Sequence, residues 1–365
     1  MAERPENANT ITPRLNLVAW EITRSCNLKC SHCRASAVDS RSPDELSTSD
    51  CHRLIDEISR VGKPVLILTG GEPLVRADVF DIARYGVAGG LRVVMGSNGT
   101  LIDDKTAREL KGIPVTRIAV SLDFPEPALQ DKFRGMSGAF EMAISGIEAI
   151  RRAGIELQIN STLTKQNIGY LDQLLRLAIE LKAVAFHPFF LVPTGRGKGL
   201  QEDELTAEEY ELALNWIYDR QIELGDRIFF KPTDAPHYLR VMKQRQRNGA
   251  TAPARSGANP AHTMTRGCLA GTGFCFISHT GSVQGCGYLD IAAGNVKERP
   301  FGEIWERSDL FSSLRDLSRL KGKCGACEYK RICGGCRARA FETTGDFLEA
   351  EPYCQYRPHV CQRMS

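Results

Sequence analysis

The segment LVAWEITRSCNLKCSHC, residues 17–33, joins an apolar run typical of a β-strand to three cysteines at C-x3-C-x2-C spacing. Structural zinc sites are closed by four ligands, so three thiols in one loop leave such a site one ligand short. In an Fe4S4 cluster, by contrast, three thiolates leave one iron open for a small molecule. The spacing alone keeps both interpretations open, because a distant cysteine could complete a zinc site.

The composition is that of an ordinary globular protein, with 42% hydrophobic residues in a chain of 365, long enough for two or three domains. The formal net charge of +3 is too small to indicate nucleic-acid binding. The first residues lack the apolar core of a signal peptide, and no later run approaches the roughly 18 apolar residues of a membrane span. We therefore expect a cytoplasmic protein with neither a nucleic-acid nor a membrane partner.

Short β-branched runs alternate with longer amphipathic stretches from residue 17 to about residue 193. Six strands are predicted, at residues 17–23, 65–69, 92–96, 117–122, 156–163 and 184–192. A helix over residues 50–61 should follow the first strand, with Ser47 and Asp50 forming a capping box. This rhythm of six β/α units predicts an α/β fold with a parallel sheet and right-handed helical crossovers.

Polar or glycine-rich segments follow the predicted strands. They are CNLKCSHC after the first strand, GGEP (70–73) after the second, SNG (97–99) after the third, SLD (121–123) at the fourth and PTGRG (193–197) after the sixth. Each segment by itself is more often an ordinary turn. Because the carboxyl ends of parallel strands face one crevice, the spacing predicts that they form one shared site.

Together these segments resemble the radical SAM enzymes over the whole first domain. Cys26, Cys30 and Cys33 fit the cysteine loop of that family, and His32 occupies its aromatic position. The resemblance implies a partial (β/α)6 TIM-like barrel and a [4Fe-4S] cluster whose open iron binds S-adenosylmethionine. It also implies that transfer of one electron into the sulfonium cleaves S-adenosylmethionine to methionine and a 5′-deoxyadenosyl radical. A non-catalytic iron–sulfur carrier or zinc module would explain the cysteines but not the other strand-end segments.

The resemblance also assigns residues to S-adenosylmethionine. Gly70, Gly71 and Glu72 match the segment that holds the methionine amino group. The positions matching those near the ribose and the methionyl carboxylate are Ser97, Asn98, Ser121 and Asp123.

The C-terminal cysteines resemble the SPASM/twitch extension of radical SAM enzymes, which carries auxiliary [4Fe-4S] clusters. Thirteen cysteines in a reducing compartment favour ligation over disulfides. The resemblance implies one cluster on Cys268, Cys275, Cys286 and Cys336, and another on Cys324, Cys327, Cys333 and Cys354. Two residues separate Cys333 from Cys336, where the family has three between the corresponding cysteines. Two alternatives to this partition therefore stay open: one auxiliary cluster with spare thiols, and a zinc ribbon. Cys51 and Cys361 are interpreted as plain thiols.

The chain is expected to divide into four regions. They are an N-terminal arm (1–16), the radical SAM partial barrel (17–232), a basic linker (233–267) and a SPASM/twitch domain (268–365). No Asp or Glu occurs from residue 235 to residue 289. The loop-like residues 248–263 are a candidate lid over the site.

Three stretches, at residues 17–37, 192–197 and 265–296, resemble the tetrapyrrole branch of the family, and within it the haem b synthases, or Fe-coproporphyrin III decarboxylases. That resemblance implies oxidative decarboxylation of two propionates of Fe-coproporphyrin III to vinyl groups. The alternatives are a didecarboxysirohaem or haem d1 enzyme and a radical SAM/SPASM peptide maturase. An auxiliary cluster would accept the departing electron, and ferredoxin or flavodoxin would be the low-potential donor.

An iron-tetrapyrrole substrate with four carboxylates requires cations, ideally guanidinium groups. Arg196 and Arg266 are the candidates because each adjoins a segment expected at the site. His187, His237 and His262 are candidate haem ligands, although a single histidine is more often structural.

Overall fold

One sheet of ten strands organises the computed structural model, which describes residues 9–250 and 266–362. The strand order is β10-β9-β8-β1-β2-β3-β4-β5-β6-β7. The strands are β1 Leu17–Thr23, β2 Val65–Gly70, β3 Arg92–Ser97, β4 Arg117–Ser121, β5 Glu156–Leu163, β6 Ala185–Phe190, β7 Phe229–Phe230, β8 Phe274–Ile277, β9 Ser282–Cys286 and β10 Leu289–Asn295.

Helices connect many of the strands, and further helices follow the last strand. They are α1 Thr48–Val61, α2 Val79–Ala88, α3 Asp104–Gly112, α4 Pro127–Arg134, α5 Ala139–Arg152, α6 Leu171–Glu180, α7 Ala207–Leu224, α8 Tyr238–Arg247, α9 Phe301–Arg307, α10 Asp309–Arg315, α11 Gly322–Ala326, α12 Arg337–Thr344 and α13 His359–Gln362. Among the described residues, no helix is both long and apolar enough to cross a bilayer.

The predicted parallel architecture is confirmed, since β1 to β6 pair in sequence order and in parallel. The predicted bounds of β1 and β5 match the structure, and those of the other four strands differ by one or two residues at an end. Helix α1 begins two residues earlier than predicted, at Thr48, and its capping box of Ser47 and Asp50 is present. Four further strands were not predicted from the sequence, because β7 has only two residues and β10 is interrupted by bulges.

The two faces of the sheet differ in character. Val18, Trp20 and Ile22 of β1 have no solvent exposure and pack in the hydrophobic core on what we call the helix face. Glu21 lies on the opposite face, the site face, because side chains alternate along a strand. The parallel register places Gln158 of β5 on the site face too.

The C-terminal cysteine region extends the same sheet. Strand β8 pairs in parallel with β1, placing Cys275 beside Val18 and Phe276 beside Ala19. Strands β9 and β10 then add as an antiparallel hairpin. The segment that begins the auxiliary region is therefore hydrogen-bonded to the strand that leads into the first cysteine loop.

Two glycines allow α5 to pack closely on the loop after β3. A Cβ on Gly146 would lie 2.2 Å from the carbonyl oxygen of Gly99, a distance that real side chains do not reach. Gly99 itself has a φ of +82°, in the left-handed region that favours glycine. The backbone of α5 is thus in direct contact with the segment that follows β3.

Gly146→Ala should lower the free energy of unfolding by about 1–3 kcal/mol, because the added methyl group forces α5 away from the loop after β3. Gly112→Ala is the matched control, since it also replaces a helical glycine but no atom lies within 4 Å of the added Cβ. Urea unfolding followed by circular dichroism measures both. Equal stabilities of the two variants would contradict the packing argument.

Candidate active site

The loop after β1 holds three free thiols at the carboxyl edge of the sheet. Cys26 and Cys30 are buried and Cys33 is partly exposed. The Sγ of Cys26 accepts a hydrogen bond from the amide of Leu28 at 3.3 Å, and the Sγ of Cys33 accepts one from Ala37 at 3.4 Å. Burial raises the pKa of the Cys26 thiol to about 11 and also raises that of Cys30. Ligation must therefore displace protons, as it does at other thiolate sites.

Arg196 fixes the shape of this loop. Its Nε donates to the carbonyl of Cys30 at 2.9 Å and its Nη1 to the carbonyl of Ala37 at 2.7 Å. Its amide also donates to the carbonyl of Cys33 at 3.0 Å. These donors position the cysteine loop, whereas Nη2 of Arg196 is buried and has no hydrogen-bond partner among the described residues. The expected pairing of Arg196 with a substrate carboxylate stays a prediction.

Glu72 is the best-connected of the predicted binding residues. It has no solvent exposure, and its carboxylate accepts hydrogen bonds from Ser97 Oγ at 2.9 Å, the amide of Asn98 at 2.7 Å and the amide of Leu74 at 3.2 Å. Burial raises the pKa of Glu72 to about 7, although these hydrogen bonds oppose the shift. The segments after β2 and β3 therefore meet at one carboxylate, as their positions after parallel strands predicted.

The backbone next to Gly70 and Gly71 leaves no room for a side chain at either position. A Cβ on Gly70 would lie 2.4 Å from the carbonyl oxygen of Thr23, and one on Gly71 would lie 2.2 Å from that of Ser25. The amide of Glu72 donates to the Ser25 carbonyl at 2.8 Å. These glycines let the second strand end lie against the residue that precedes the cysteine loop.

Asn98 joins the segment after β3 to the cysteine loop. Its side-chain amide donates to Asn27 Oδ1 at 2.9 Å, and the same nitrogen lies 3.9 Å from Cys26 Sγ. Its Oδ1 accepts from the amide of Thr100 at 2.9 Å. The segments containing Cys26 and Asn98 are therefore in direct contact, as predicted.

Asp123 lies at the end of β4 and reaches the cysteine loop through an arginine. It has no solvent exposure, accepts from the amide of Thr162 at 2.7 Å, and forms an ion pair with Arg134. Arg134 in turn lies 3.8 Å from Cys30 Sγ. Arg134 was not predicted from the sequence, because a basic residue at the end of an amphipathic helix carries no distinguishing signal.

His32 is held by an aromatic contact beside these groups. Its ring stacks on Phe133 with centroids 4.4 Å apart, and burial lowers its pKa to about 4. Ser121 is partly exposed at the end of β4, where it pairs with Asn160 of β5. All the positions assigned to S-adenosylmethionine thus lie around the edge of the sheet where the cysteine loop begins.

Glu21 forms a buried charge cluster that was not predicted from the sequence either. Its carboxylate binds Arg34 Nη2 at 2.5 Å and His279 Nδ1 at 2.8 Å. Despite burial, these partners and Arg24 lower its pKa to about 2. Arg34 also donates to the carbonyl of Gly287 at 3.2 Å. One side chain next to Cys33 therefore touches the residue that follows Cys286.

Four C-terminal cysteines surround one pocket, whose thiols are Cys324, Cys327, Cys333 and Cys354. We call it the second auxiliary pocket. The Sγ of Cys327 accepts from the amide of Tyr329 at 3.4 Å, and that of Cys333 accepts from the amide of Gly335 at 3.4 Å. This grouping agrees with the second set implied by the sequence.

The other predicted set is brought together only in part. Cys268 and Cys336 both act electrostatically on Cys286, and the amide of Arg339 donates to Cys336 Sγ at 3.4 Å. Asp234 also acts on Cys286, and its Oδ2 has no hydrogen-bond partner among the described residues. Burial raises the pKa of Asp234 to about 7.

Cys275 does not join these three cysteines. It lies on the helix face beside Val18, whereas Cys286 shares the site face with Phe276 and Gln284. It is fully buried in the hydrophobic core, and besides burial only Arg315 acts on its pKa. We therefore remove Cys275 from the expected ligands. The sequence spacing could not reveal which face of β8 carries it.

A zinc ribbon is the alternative interpretation of these cysteines. Within residues 9–250 and 266–362, no three His, Cys, Asp or Glu side chains converge closely enough for a single metal ion. A tetrahedral zinc site requires such convergence, with Zn–S distances of about 2.3 Å. Thiols arranged around a pocket and accepting amide hydrogen bonds suit a larger, polynuclear group.

The remaining substrate candidates lie elsewhere. Arg266 donates to the carbonyls of Arg331 at 3.0 Å and Cys268 at 2.8 Å, so it positions the auxiliary segments. Its expected substrate role stays a prediction. His187 lies on the site face, next to Gln158 at 3.0 Å. His237 lines the second auxiliary pocket.

Two further expectations concern the basic stretch. His262 and residues 251–263 of the candidate lid lie outside the described residues. Of the basic residues that are described, Arg240 pairs with Glu211 and Arg245 with Asp219, both at 2.5 Å. These two arginines attach α8 to α7.

Comparison with known proteins identifies both parts of the chain. Residues 20–178 match the radical SAM superfamily, and residues 268–337 match SPASM, an iron–sulfur cluster-binding domain. An AdoMet-dependent heme synthase of Methanosarcina barkeri is 50% identical over 352 residues, which cover 96% of this chain and 99% of the relative. An Fe-coproporphyrin III synthase of the same organism is 33% identical and covers 93% of this chain and 87% of the relative.

A solved structure shows the same fold. SuiB of Streptococcus suis, bound to S-adenosylmethionine, matches with a TM-score of 0.72 at 18% identity over 95% of this chain and 77% of that one. The parallel strands, the three-cysteine loop and the full-length relatives agree, and the chain belongs to the radical SAM family, with a C-terminal SPASM iron–sulfur domain.

Proposed function

We propose that this enzyme is a haem b synthase, which converts Fe-coproporphyrin III to haem b by oxidative decarboxylation of two propionates. The observation that carries the proposal is the 50% identity, over nearly the full length of both chains, to a relative named AdoMet-dependent heme synthase. The relative named Fe-coproporphyrin III synthase is less similar, at 33%.

Cys26, Cys30 and Cys33 are proposed to hold a [4Fe-4S] cluster with one open iron. The amide hydrogen bonds to Cys26 and Cys33, and the Arg134 guanidinium beside Cys30, suit thiolates that share negative charge with a cluster. S-adenosylmethionine bound there supplies the 5′-deoxyadenosyl radical that abstracts hydrogen. Glu72 is proposed to receive the ammonium group of the methionine moiety, a role supported by the Gly70–Gly71 backbone, which leaves that carboxylate beside the loop.

The reaction at each propionate has a fixed balance. The group –CH2–CH2–COO⁻ loses a hydrogen atom, carbon dioxide and one electron, and becomes –CH=CH2. Two electrons must therefore leave for each haem produced. The proposed acceptors are the auxiliary clusters, one held by Cys324, Cys327, Cys333 and Cys354 and one by Cys268, Cys286 and Cys336. Ferredoxin or flavodoxin is proposed as the donor that reduces the first cluster.

The site face offers polar groups to an anionic tetrapyrrole. Gln158, Asn160 and His187 of β5 and β6 are partly exposed there. Lys231, which follows β7, interacts electrostatically with Asp234, and burial lowers its pKa. Tyr288 belongs to the same surroundings, because Asp234, Cys286 and Cys33 all act on its pKa, which burial raises. A substrate there would lie between the two cysteine regions.

Anaerobic incubation of the iron-reconstituted, reduced protein with S-adenosylmethionine and Fe-coproporphyrin III tests the proposal by mass spectrometry. We expect 5′-deoxyadenosine and a porphyrin that has lost two formic acid equivalents. Cys30→Ala should abolish both products while keeping the C-terminal iron, because only the first loop loses a ligand. Formation of 5′-deoxyadenosine with the porphyrin unchanged would assign another substrate, with didecarboxysirohaem the next to be tried and a precursor peptide after it.

The corrected ligand set predicts different outcomes for two cysteines of β8 and β9. Cys286→Ala should lose a substantial part of the bound iron and sulfide, because it removes a thiol of the three-cysteine group. Cys275→Ala, the matched control on the helix face, should keep the wild-type content. Iron and sulfide analysis of the reconstituted proteins decides. Loss of iron in Cys275→Ala would restore Cys275 to the ligand set.

S-adenosylmethionine binding should weaken as the pH falls below about 7. Glu72 has a raised pKa of about 7, so the free protein increasingly holds the neutral acid below that pH and loses the charge that attracts the ammonium group. The dissociation constant should rise by up to about tenfold per pH unit. Equilibrium dialysis between pH 6 and pH 8.5 measures it, and Glu72→Gln should flatten the profile. Equal affinities at both ends of this range in the wild-type protein would contradict this role.

A further inference from the structure

A buried histidine lines the second auxiliary pocket and has no hydrogen-bond partner among the described residues. His237 has no solvent exposure, and it lines the pocket together with Cys324, Cys327, Cys333 and Cys354. Neither ring nitrogen makes a hydrogen bond to any other described residue. An unpaired buried polar group is costly, so such an arrangement calls for a partner that occupies the pocket.

The surroundings of His237 are positively charged. Arg240 Nη2 lies 3.9 Å from Cys354 Sγ, and Lys323 Nζ donates to the carbonyl of Cys354. Together with burial, Arg240, Arg339 and Lys323 hold the pKa of His237 well below its ordinary value. In either protonation state an imidazole carries at least one ring N–H that can be donated.

A role as metal ligand is not required of this histidine. The pocket already offers four thiols, the number that closes a [4Fe-4S] cluster. His237 lines this pocket and not the site face of the sheet, so it is not placed as a ligand of a haem iron there. What the position offers is an unpaired ring N–H in the wall of the pocket that the four thiols line.

We propose that His237 donates its ring N–H to the cluster held by Cys324, Cys327, Cys333 and Cys354, and thereby raises the reduction potential of that cluster. Adding one electron increases the negative charge on a cluster, so a hydrogen bond to sulfur stabilises the reduced state more than the oxidised state. Arg240 and Lys323 act in the same direction. This cluster thus becomes the favourable destination for an electron from the substrate. The inference rests on the proposed function for its second auxiliary cluster, although not on the identity of the tetrapyrrole.

Potentiometric titration followed by electron paramagnetic resonance tests the proposal. The Cys30→Ala background removes the first cluster, so the signals come from the C-terminal domain. In that background His237→Phe should shift the midpoint potential of one cluster to a more negative value, and His237→Gln, which keeps an N–H donor, should restore most of the difference. His52→Phe makes the same exchange on α1, where the ring stacks on Tyr85, and should leave the potential unchanged.

A second measurement decides even where His237→Phe fails to fold. Pulsed electron paramagnetic resonance of reduced Cys30→Ala protein labelled with ¹⁵N-histidine should show a coupling between the cluster and a histidine nitrogen. That coupling should change when His237→Gln is added, because the glutamine donor is not labelled. An unchanged potential in His237→Phe at full iron content would overturn the proposal, as would the lack of any histidine coupling. Loss of all C-terminal iron in the Cys30→Ala background would instead contradict the proposed ligand sets, so the two failures are distinguishable.

Discussion

The buried carboxylate of Glu21 links the parts of this enzyme that must work together. It lies on β1, binds Arg34 directly after the cysteine loop, and binds His279 between β8 and β9. Removing one partner of such a buried ion pair typically costs about 3–5 kcal/mol, because a charge is left unpaired. Since its pKa is lowered to about 2, the stabilising charge is present above the unfolded pKa and is lost only as the pH falls toward 2. The charge of Glu21 thus joins the two cysteine regions at neutral pH.

The sequence predicted the features that depend on periodicity and on strand ends. Six strands, the capping box and the meeting of Glu72, Ser97 and Asn98 all follow from rules that act locally along the chain or from the common polarity of parallel strands. Features that depend on the orientation of a side chain could not be predicted. Arg196 adjoins the cysteine loop, but the spacing could not show that its guanidinium binds the carbonyls of Cys30 and Ala37.

Cys275 is a second residue whose side-chain orientation could not be predicted from the sequence. Its spacing from Cys268 fits a ligand, but a β-strand sends successive side chains to opposite faces, and a one-residue difference in register decides whether a thiol reaches a cluster or a hydrophobic core. Hydrogen bonds from backbone amides to Sγ distinguish three of the proposed ligand cysteines from the plain thiol Cys51. Cys26, Cys327 and Cys333 each accept one from the residue two positions later, whereas Cys51 donates toward the carbonyl of Leu46 at 3.9 Å.

The parallel pairing of β8 with β1 also constrains how electrons can move. Many redox enzymes bring their centres together by swinging one domain toward another. Here the auxiliary region begins as a strand of the same sheet that ends in the first cysteine loop, and Arg34 bridges the two at Gly287. The separation between the radical-generating site and the auxiliary sites is therefore set when the sheet folds. Electron transfer in this enzyme should run at a rate set by fixed distances and potentials, independent of solvent viscosity.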